Sequence, residues 1–510
     1  MTPMEKTRRP CAWPGILAAA LGAIWLALFP LWQDGSFSRI TRAKWQGMLI
    51  LCAVTAAAVI VTLVILALRG ELGRTVRFHP AQALALAYFA WVALSAFQGA
   101  CAQTLNSSGQ RAALMGAIRH EGLMTQLCYC AIFLLMSLFR PRMKWLLRAA
   151  AVSLMIFFTV TLLQYAGFNP LGLFPAGRSV RTNYEFQGTI GNIDMISGYL
   201  CLAVPLLLSG FVLRRHADPL LLLAGLCGVM DQLLIGVQSG LIALALELGL
   251  LAVFLLTRPR RRWRVIFIYG GVLVLTGVRL LLGLPWLEGT AEIAFPWQPS
   301  AGKLGLTAAG LVLMALSPLV RRHPGRPVSA RMTALLAAVF ILGCLGIIAV
   351  APLQKGSGLW ELQQIMRGNP QDSYGSYRLG VWRHTLAMAR ENLLFGTGPD
   401  TFLYALRDQL RRAGETLPET FDNPHNEYLA ILSNNGLPAL VCYLGAMGSL
   451  LVSCLRRRAP EAMMLLCAVG CFLLQGMFSF SICLVSPMFW AVCGMASAWC
   501  GRSLRPAETS

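Results

Sequence analysis

Hydrophobic positions in this chain come in long unbroken runs, separated by short polar segments rich in arginine. Fourteen runs stand out, at roughly 15–33, 46–68, 81–100, 123–139, 149–167, 189–213, 220–237, 239–257, 265–284, 304–320, 332–352, 437–455, 461–480 and 484–500. Most approach or exceed the ~18 apolar residues that carry a helix across a bilayer. Backbone in hydrocarbon has no water to bond to, so each run is predicted as a helix that satisfies its own N–H and C=O groups. The expected fold class is all-α: a polytopic membrane protein of about 12–14 transmembrane helices with one large helical extracytoplasmic loop. The count falls to twelve if the N-terminal pair or the tight 220–257 pair is not two spans. The expected units are an N-terminal transmembrane bundle (1–352), the large loop (353–436), and C-terminal helices with a short cytoplasmic tail (437–510).

The 353–436 loop is patterned rather than featureless. Residues 376–394 have helical periodicity, with Tyr377, Val381, Trp382, Leu386, Ala389 and Leu393 near one face. Ser376 is expected to cap this helix, and Gly396-Thr397-Gly398-Pro399 to end it. A second helix is expected over about 400–412, with Asp400 in its first turn, Arg411 and Arg412 in its last, and Gly414 as its stop. Asn423 reads as an N-cap and Pro424 as the first residue of a short helix that places His425 in its first turn and ends near Asn435-Gly436.

Composition agrees with the pattern. The 510 residues are 56% hydrophobic and 13% charged, with mean hydropathy +0.62. A soluble chain would carry about a quarter charged residues. The net charge of +21 raises a nucleic-acid reading, but its distribution argues against one: the basic residues cluster between apolar runs, as in Arg258–Arg264 and Arg456–Arg458, and no basic domain is present to follow phosphates. With the N-terminus inside and the runs alternating, 26 Lys and Arg fall on the cytoplasmic side and 9 outside, counting Arg279 near the outer end of its run and apart from 8 in the long loop. Long loops are exempt from the positive-inside rule. Both termini are therefore expected in the cytoplasm and the long loop on the far side. Lys6, Arg8 and Arg9 precede the first run, which reads as a span rather than a cleaved leader. The fifteen cysteines lie mostly inside apolar runs and read as small buried hydrophobes.

Several groups could carry chemistry. His425 at a positive helix end would stay neutral and able to take a proton, and the same end offers N–H groups to an anion; the alternative is a capping histidine at the loop–membrane junction. Arg378 and Trp382 are four apart and share a helix face, and arginine suits bidentate phosphate binding; the alternative is a solvated helix with a buried Trp. Arg178 and Arg181, followed by Gly188, Gly191, Asn192 and Asp194, stand at the mouth of a span, where polar groups tend to be functional; a glycine turn with polar caps is the plain reading. Asp231 and Glu247 fall inside runs and mark either a proton path or packed neutral groups beside Arg279. No P-loop, dinucleotide fingerprint, metal-ligand cluster or serine-hydrolase elbow is present in the sequence.

Three stretches, in order, resemble the O-antigen ligase family, whose Wzy-C domain is shared by bacterial lipid-linked glycan ligases and polymerases. Gly188-Thr-Ile-Gly-Asn-Ile-Asp-Met-Ile-Ser-Gly-Tyr-Leu is similar to the family's G-T-x-G-N-x-N-x-x-(A/S)-G-Y-L. Arg378-x-x-x-Trp382 with Asn392-Leu-Leu-Phe-Gly-Thr-Gly-Pro-Asp-x-Phe402 resembles its R-x-x-x-W…P-L-x-G-x-G-x-x-x-F. His425-Asn426-x9-Gly436 resembles its H-N…G. The resemblance covers about 180–440. Gln238-Ser239-Gly240 lacks the Arg that the family often carries there, Asp194 replaces the second Asn, and Ala439 stands where ligases often show Gly, Thr or Tyr.

The resemblance implies a multi-pass protein of the bacterial cytoplasmic membrane, active on its outer face. The implied reaction is an inverting, metal-independent transfer from an undecaprenyl-diphosphate-linked glycan to an acceptor hydroxyl on a glycan, lipid or wall polymer, with no cofactor and no nucleic-acid partner. Membrane lipid surrounds the spans. His425 would deprotonate the acceptor or orient the diphosphate. Arg378, with Arg178 or Arg181, would hold the diphosphate, and Asn192, Asp194, Trp382 and Asn426 would line the substrate site. The alternatives are a Wzy-type polymerase, a lipid-linked sugar flippase, which would show two related halves and no large loop, or a scaffold in which His425 is replaceable.

Overall fold

The computed structural model describes residues 12–174, 188–283, 299–352, 355–356 and 358–503. Arg178 and Arg181 lie outside the described residues. The described residues are predominantly helical, and a helix stands at every one of the fourteen apolar runs. Ten of these helices are long and apolar enough to cross a membrane: Trp13–Leu31, Phe37–Leu68, Pro80–Gln98, Met143–Tyr165, Ile193–Leu213, Gln238–Thr257, Pro259–Leu281, Ala301–Arg322, Ala330–Val350 and Glu427–Arg457. Leu123–Ser137, Pro219–Ile235, Pro460–Gln475 and Ser486–Cys500 are shorter. The tight pair is two helices turned at Gly236, whose left-handed backbone (φ 70°) suits glycine.

Helices apolar on every side are buried in protein or in lipid, and both outcomes occur. Ile193–Leu213 is enclosed along its whole hydrophobic window. It packs against Pro219–Ile235 and Pro460–Gln475 and forms the centre of one continuous core. Ala330–Val350 is still more apolar, with mean hydropathy 2.7 against 2.1, yet none of its window is buried.

The loops segregate to two ends. At the basic end, Arg77–Phe78 pairs antiparallel with Arg502–Ser503, Arg140 donates to the Gly501 carbonyl at 2.9 Å, Arg258 to the Arg458 carbonyl at 2.9 Å, and Arg264 to the carbonyls of Phe211 and Arg214 at 2.8 and 2.7 Å. At the opposite end the long polar segment folds as three helices, Gly358–Met366, Arg378–Glu391 and Phe402–Ala413.

This end differs from the sequence expectation in detail. Ser376 does not cap the Arg378–Glu391 helix: Ser376 and Tyr377 both have left-handed backbone (φ 56° and 64°), and Tyr377 holds the cap position with no side-chain bond. The buried stripe of that helix runs through Val381, His384, Thr385 and Met388, while Tyr377, Leu386 and Leu393 are exposed. Asp400 precedes the Phe402–Ala413 helix, and its carboxylate instead accepts the backbone N–H groups of Ala117 (2.6 Å) and Glu121 (3.1 Å). Gly414 ends the helix in left-handed backbone, as expected.

A three-way junction locks the segment to the bundle. The Glu427–Arg457 helix is broken at Gly436 (φ 83°, ψ 172°). The break frees carbonyls, and the 393–398 turn takes them: Thr397 N donates to Ser433 O at 2.9 Å and Gly398 N to Asn434 O at 2.8 Å, while Leu437 N donates back to Leu393 O at 2.8 Å. Ser95 Oγ, near the end of Pro80–Gln98, donates to Phe395 O and Asn434 O at 2.5 and 2.9 Å. The contact admits no side chain at two points. A Cβ on Gly436 would lie 2.1 Å from Leu394 O, and one on Gly396 would lie 2.4 Å from Asn434 C.

Candidate active site

The motif glycines at 188–198 serve packing. Gly188 N donates to Gln164 Oε1 at 2.8 Å, and a Cβ on Gly191 would lie 2.3 Å from Ile40 Cγ2. Asn192 caps the Ile193–Leu213 helix, its Oδ1 accepting from Asp194 N (2.8 Å) and Met195 N (3.3 Å). This turn directs Asp194 into electrostatic reach of Arg378 and Arg119.

His425 is built differently from the sequence expectation. Asn423 is not a helix cap. Its Oδ1 accepts His425 N at 2.9 Å in a local turn, and the cap is Asn426, whose Oδ1 accepts Leu429 N at 3.0 Å. His425 therefore sits just before the helix, with left-handed backbone (φ 49°), rather than in its first turn. Asn426 Nδ2 reaches the Met477 carbonyl at 2.9 Å. Trp382 Nε1 donates to the Pro424 carbonyl at 2.7 Å and so holds the peptide preceding His425. The imidazole meets Phe480 edge to face at 5.0 Å, and its buried Nδ1 has no hydrogen-bond partner among the described residues.

Two arginines flank this histidine. Arg378 Nη1 donates to Phe478 O at 3.0 Å. Arg119 forks onto Asp422, with Nε and Nη2 at 2.5 and 3.2 Å, and its guanidinium lies 4.8 Å from the Phe480 ring centroid. The imidazole pKa falls to about 4, first through burial and then through the charges of Arg378 and Arg119; Asp422 opposes the shift. His425 is thus neutral, but burial and two arginines cause this, not a helix end.

Arg119 and Asp422 are site members that the motif reading did not reach. Arg119-His120-Glu121 is a run of three ionisable residues directly before the fourth apolar run, and that density at a span mouth was the available signal. Non-glycine residues with left-handed backbone also concentrate at this end. His120, Ser376, Tyr377, Asp400 and His425 lie here, and among the described residues only Arg458 lies at the basic end. Such geometry costs roughly 1–3 kcal/mol per residue and tends to gather at functional sites.

Asp231 and Glu247 stay apart from the site. Both are buried within helices, Asp231 beside the Thr161 hydroxyl and Glu247 beside the Cys467 thiol. Glu247 lines an apolar groove of about 910 Å³ between helices, which reaches Arg258 and Arg458 toward the basic end.

A search of curated proteins finds no match. Residues 294–444 match the family model described as O-antigen ligase, Wzy_C. The matched stretch carries Arg378, Trp382, His425 and the Gly436 break, but not Arg119 or Asp194. The match to the O-antigen ligase model thus falls on the segment that builds most of this site.

Proposed function

We propose that this protein transfers a glycan from a polyprenyl-diphosphate donor to an acceptor hydroxyl on the extracytoplasmic face of the bacterial cell membrane, as a ligase of surface or wall polysaccharide. The observation that carries the reading is the convergence of two arginines on a neutral imidazole whose Nδ1 has no hydrogen-bond partner among the described residues. A diphosphate leaving group needs cationic stabilisation as charge develops on it, which Arg378 and Arg119 supply. The acceptor hydroxyl needs a proton acceptor, which the neutral imidazole of His425 supplies. The acceptor oxygen attacks the anomeric carbon opposite the diphosphate and its proton passes to His425. The bond from that carbon to the diphosphate oxygen breaks, and its electron pair leaves with the polyprenyl diphosphate. The configuration inverts.

The pKa near 4 is set by burial and by the two arginines. A bound diphosphate places negative charge beside the imidazole and offsets both arginines, which favours the imidazolium. Donor binding therefore strengthens the base at the moment it is needed. Asp194 counters the charge of Arg378 within the site, and Trp382 and Asn426 hold the backbone on either side of His425.

The test uses purified full-length protein with a polyprenyl-diphosphate-linked oligosaccharide, EDTA and no ATP, with and without candidate acceptors. Release of polyprenyl diphosphate with glycan on a different acceptor is the expected ligase outcome. Release with a longer lipid-linked chain identifies a polymerase. No turnover with any acceptor, together with donor movement across a vesicle bilayer, overturns the reading in favour of a flippase.

A further inference from the structure

Fourteen cysteines fall within the described residues, all as free thiols. One pair differs from the rest in its surroundings. Cys454, in the last turn of the Glu427–Arg457 helix, and Cys500, at the end of the Ser486–Cys500 helix, place their sulfurs 3.4 Å apart. The sulfurs are in van der Waals contact, so no side chain lies between them. Cys201 and Cys471 also adjoin, but both are buried in mid-helix, and the charged group beside Cys471 is the carboxyl of Glu247.

The Cys454–Cys500 pair lies at the basic end among cations. Arg140 brackets Cys500, donating from Nε to Ala498 O at 3.2 Å and from Nη2 to Gly501 O at 2.9 Å. Arg140 and Arg457 are both within electrostatic reach of the Cys500 sulfur. The charges acting on Arg140 are those of Arg77, Arg457 and Cys500. These arginines repel one another, and a thiolate at Cys500 relieves that repulsion. Exposure divides the two sulfurs: Cys500 is half-buried, whereas Cys454 is 1% exposed. A partly exposed thiol among cations is reactive where a packed one is inert, and such a thiol poised beside a second one is the arrangement of a redox sensor.

We propose that Cys454 and Cys500 form a redox-sensitive modification site whose oxidant is a hydroperoxide, with Cys500 attacking and Cys454 resolving. The Cys500 thiolate attacks one oxygen of hydrogen peroxide. The O–O bond breaks, and its electron pair leaves with the other oxygen, which takes the proton that Cys500 gave up and departs as water. Cys500 then carries a sulfenic acid. The Cys454 sulfur attacks the Cys500 sulfur, the S–O bond breaks, and the hydroxyl leaves as water with the Cys454 proton. Each sulfur loses one electron, and the peroxide is reduced to two waters. The new bond ties the end of the helix that starts at Asn426, beside His425, to the helix that ends at Cys500. With this end in the cytoplasm, as the charge asymmetry predicts, the pair would rest as thiols and oxidise transiently. The inference stands apart from the glycosyl-transfer reading.

The experiment treats the full-length protein in detergent with hydrogen peroxide, blocks the remaining thiols with iodoacetamide and reads the unreduced peptides by mass spectrometry. A peptide linked through Cys454 and Cys500 is expected, and dithiothreitol should abolish it. Dimedone, which traps sulfenic acid, assigns the order. Cys454→Ser should accumulate the dimedone adduct on Cys500, and Cys500→Ser should leave Cys454 unmodified. The link itself is read in the wild type, so the result does not depend on the folding of a variant. The proposal is overturned if peroxide leaves both thiols open to iodoacetamide, if either sulfur links to a different cysteine, or if the adduct forms on Cys454 in Cys500→Ser.

Discussion

At the scale of the residue, His425 is defined by what surrounds it rather than by its place in a helix. Burial and two arginines bring its pKa to about 4, below the ordinary value near 6.5. The sign of the pH dependence follows: the imidazole is neutral, and can accept a proton, only above that pKa. The acid limb of kcat/KM, which reports the free enzyme, is expected near pH 4. The acid limb of kcat, which reports the donor-loaded enzyme, is expected at higher pH, because the bound diphosphate favours the imidazolium. Identical limbs in the two profiles would contradict the role of the arginines in setting His425. Arg119→Lys keeps the charge but loses the fork onto Asp422. Transfer should fall at least tenfold (about 1.4 kcal/mol) with membrane insertion unchanged, and a fully active Arg119→Lys would remove Arg119 from the site. His425, Arg378 and Trp382 were legible from the chain, because an ordered set of motifs pointed to them. The geometry of His425 was not. Asn423 and Asn426 are three apart and both are good caps, so the sequence alone does not say which one starts the helix, and the structure uses Asn426.

At the scale of the element, the junction between the 393–398 turn and the Gly436 break joins two motif stretches that lie far apart in the chain. The required glycines were visible as positions, yet their reason is tertiary: each faces a backbone atom of the other segment. Gly436→Ala would force a Cβ against Leu394 O in a backbone region that costs roughly 1–3 kcal/mol for a non-glycine residue. The expected result is a turn released from the helix. Limited proteolysis should cut between residues 392 and 400 in this variant and not in the wild type, and transfer should drop at least tenfold with it. Wild-type protection in Gly436→Ala would show that the junction tolerates a side chain. The rotated face of the Arg378–Glu391 helix has a similar origin. Its apolar residues do not form one clean stripe, and the covering partner, the 402–421 segment, selects Val381 and Met388 over Leu386 and Leu393.

At the scale of the whole molecule, run lengths in the sequence placed a helix at all fourteen apolar stretches, because a backbone in hydrocarbon has so few alternatives. Burial was not legible in the same way. Ile193–Leu213 and Ala330–Val350 read alike, and only packing makes one the centre and the other the rim. The charge asymmetry predicted the end at which each loop gathers, and the ends so formed put the arginine clusters together and the polar segment opposite them. If the polar end is extracytoplasmic, an epitope inserted after Gly414 should bind antibody on intact spheroplasts, and one after Gly325 only after lysis. The reverse pattern would place the site in the cytoplasm and remove the proposed donor side.

If His425 and Arg378 together carry glycosyl transfer from a lipid diphosphate, removing either side chain should stop it. The most direct measurement compares wild type, His425→Ala and Arg378→Ala, purified at equal membrane yield, for release of polyprenyl diphosphate from the lipid-linked donor in the presence of acceptor. Release by the wild type and a loss of at least a hundredfold in both variants are expected, as when a general base or a leaving-group contact is removed. Normal release by a well-inserted His425→Ala or Arg378→Ala would contradict this expectation.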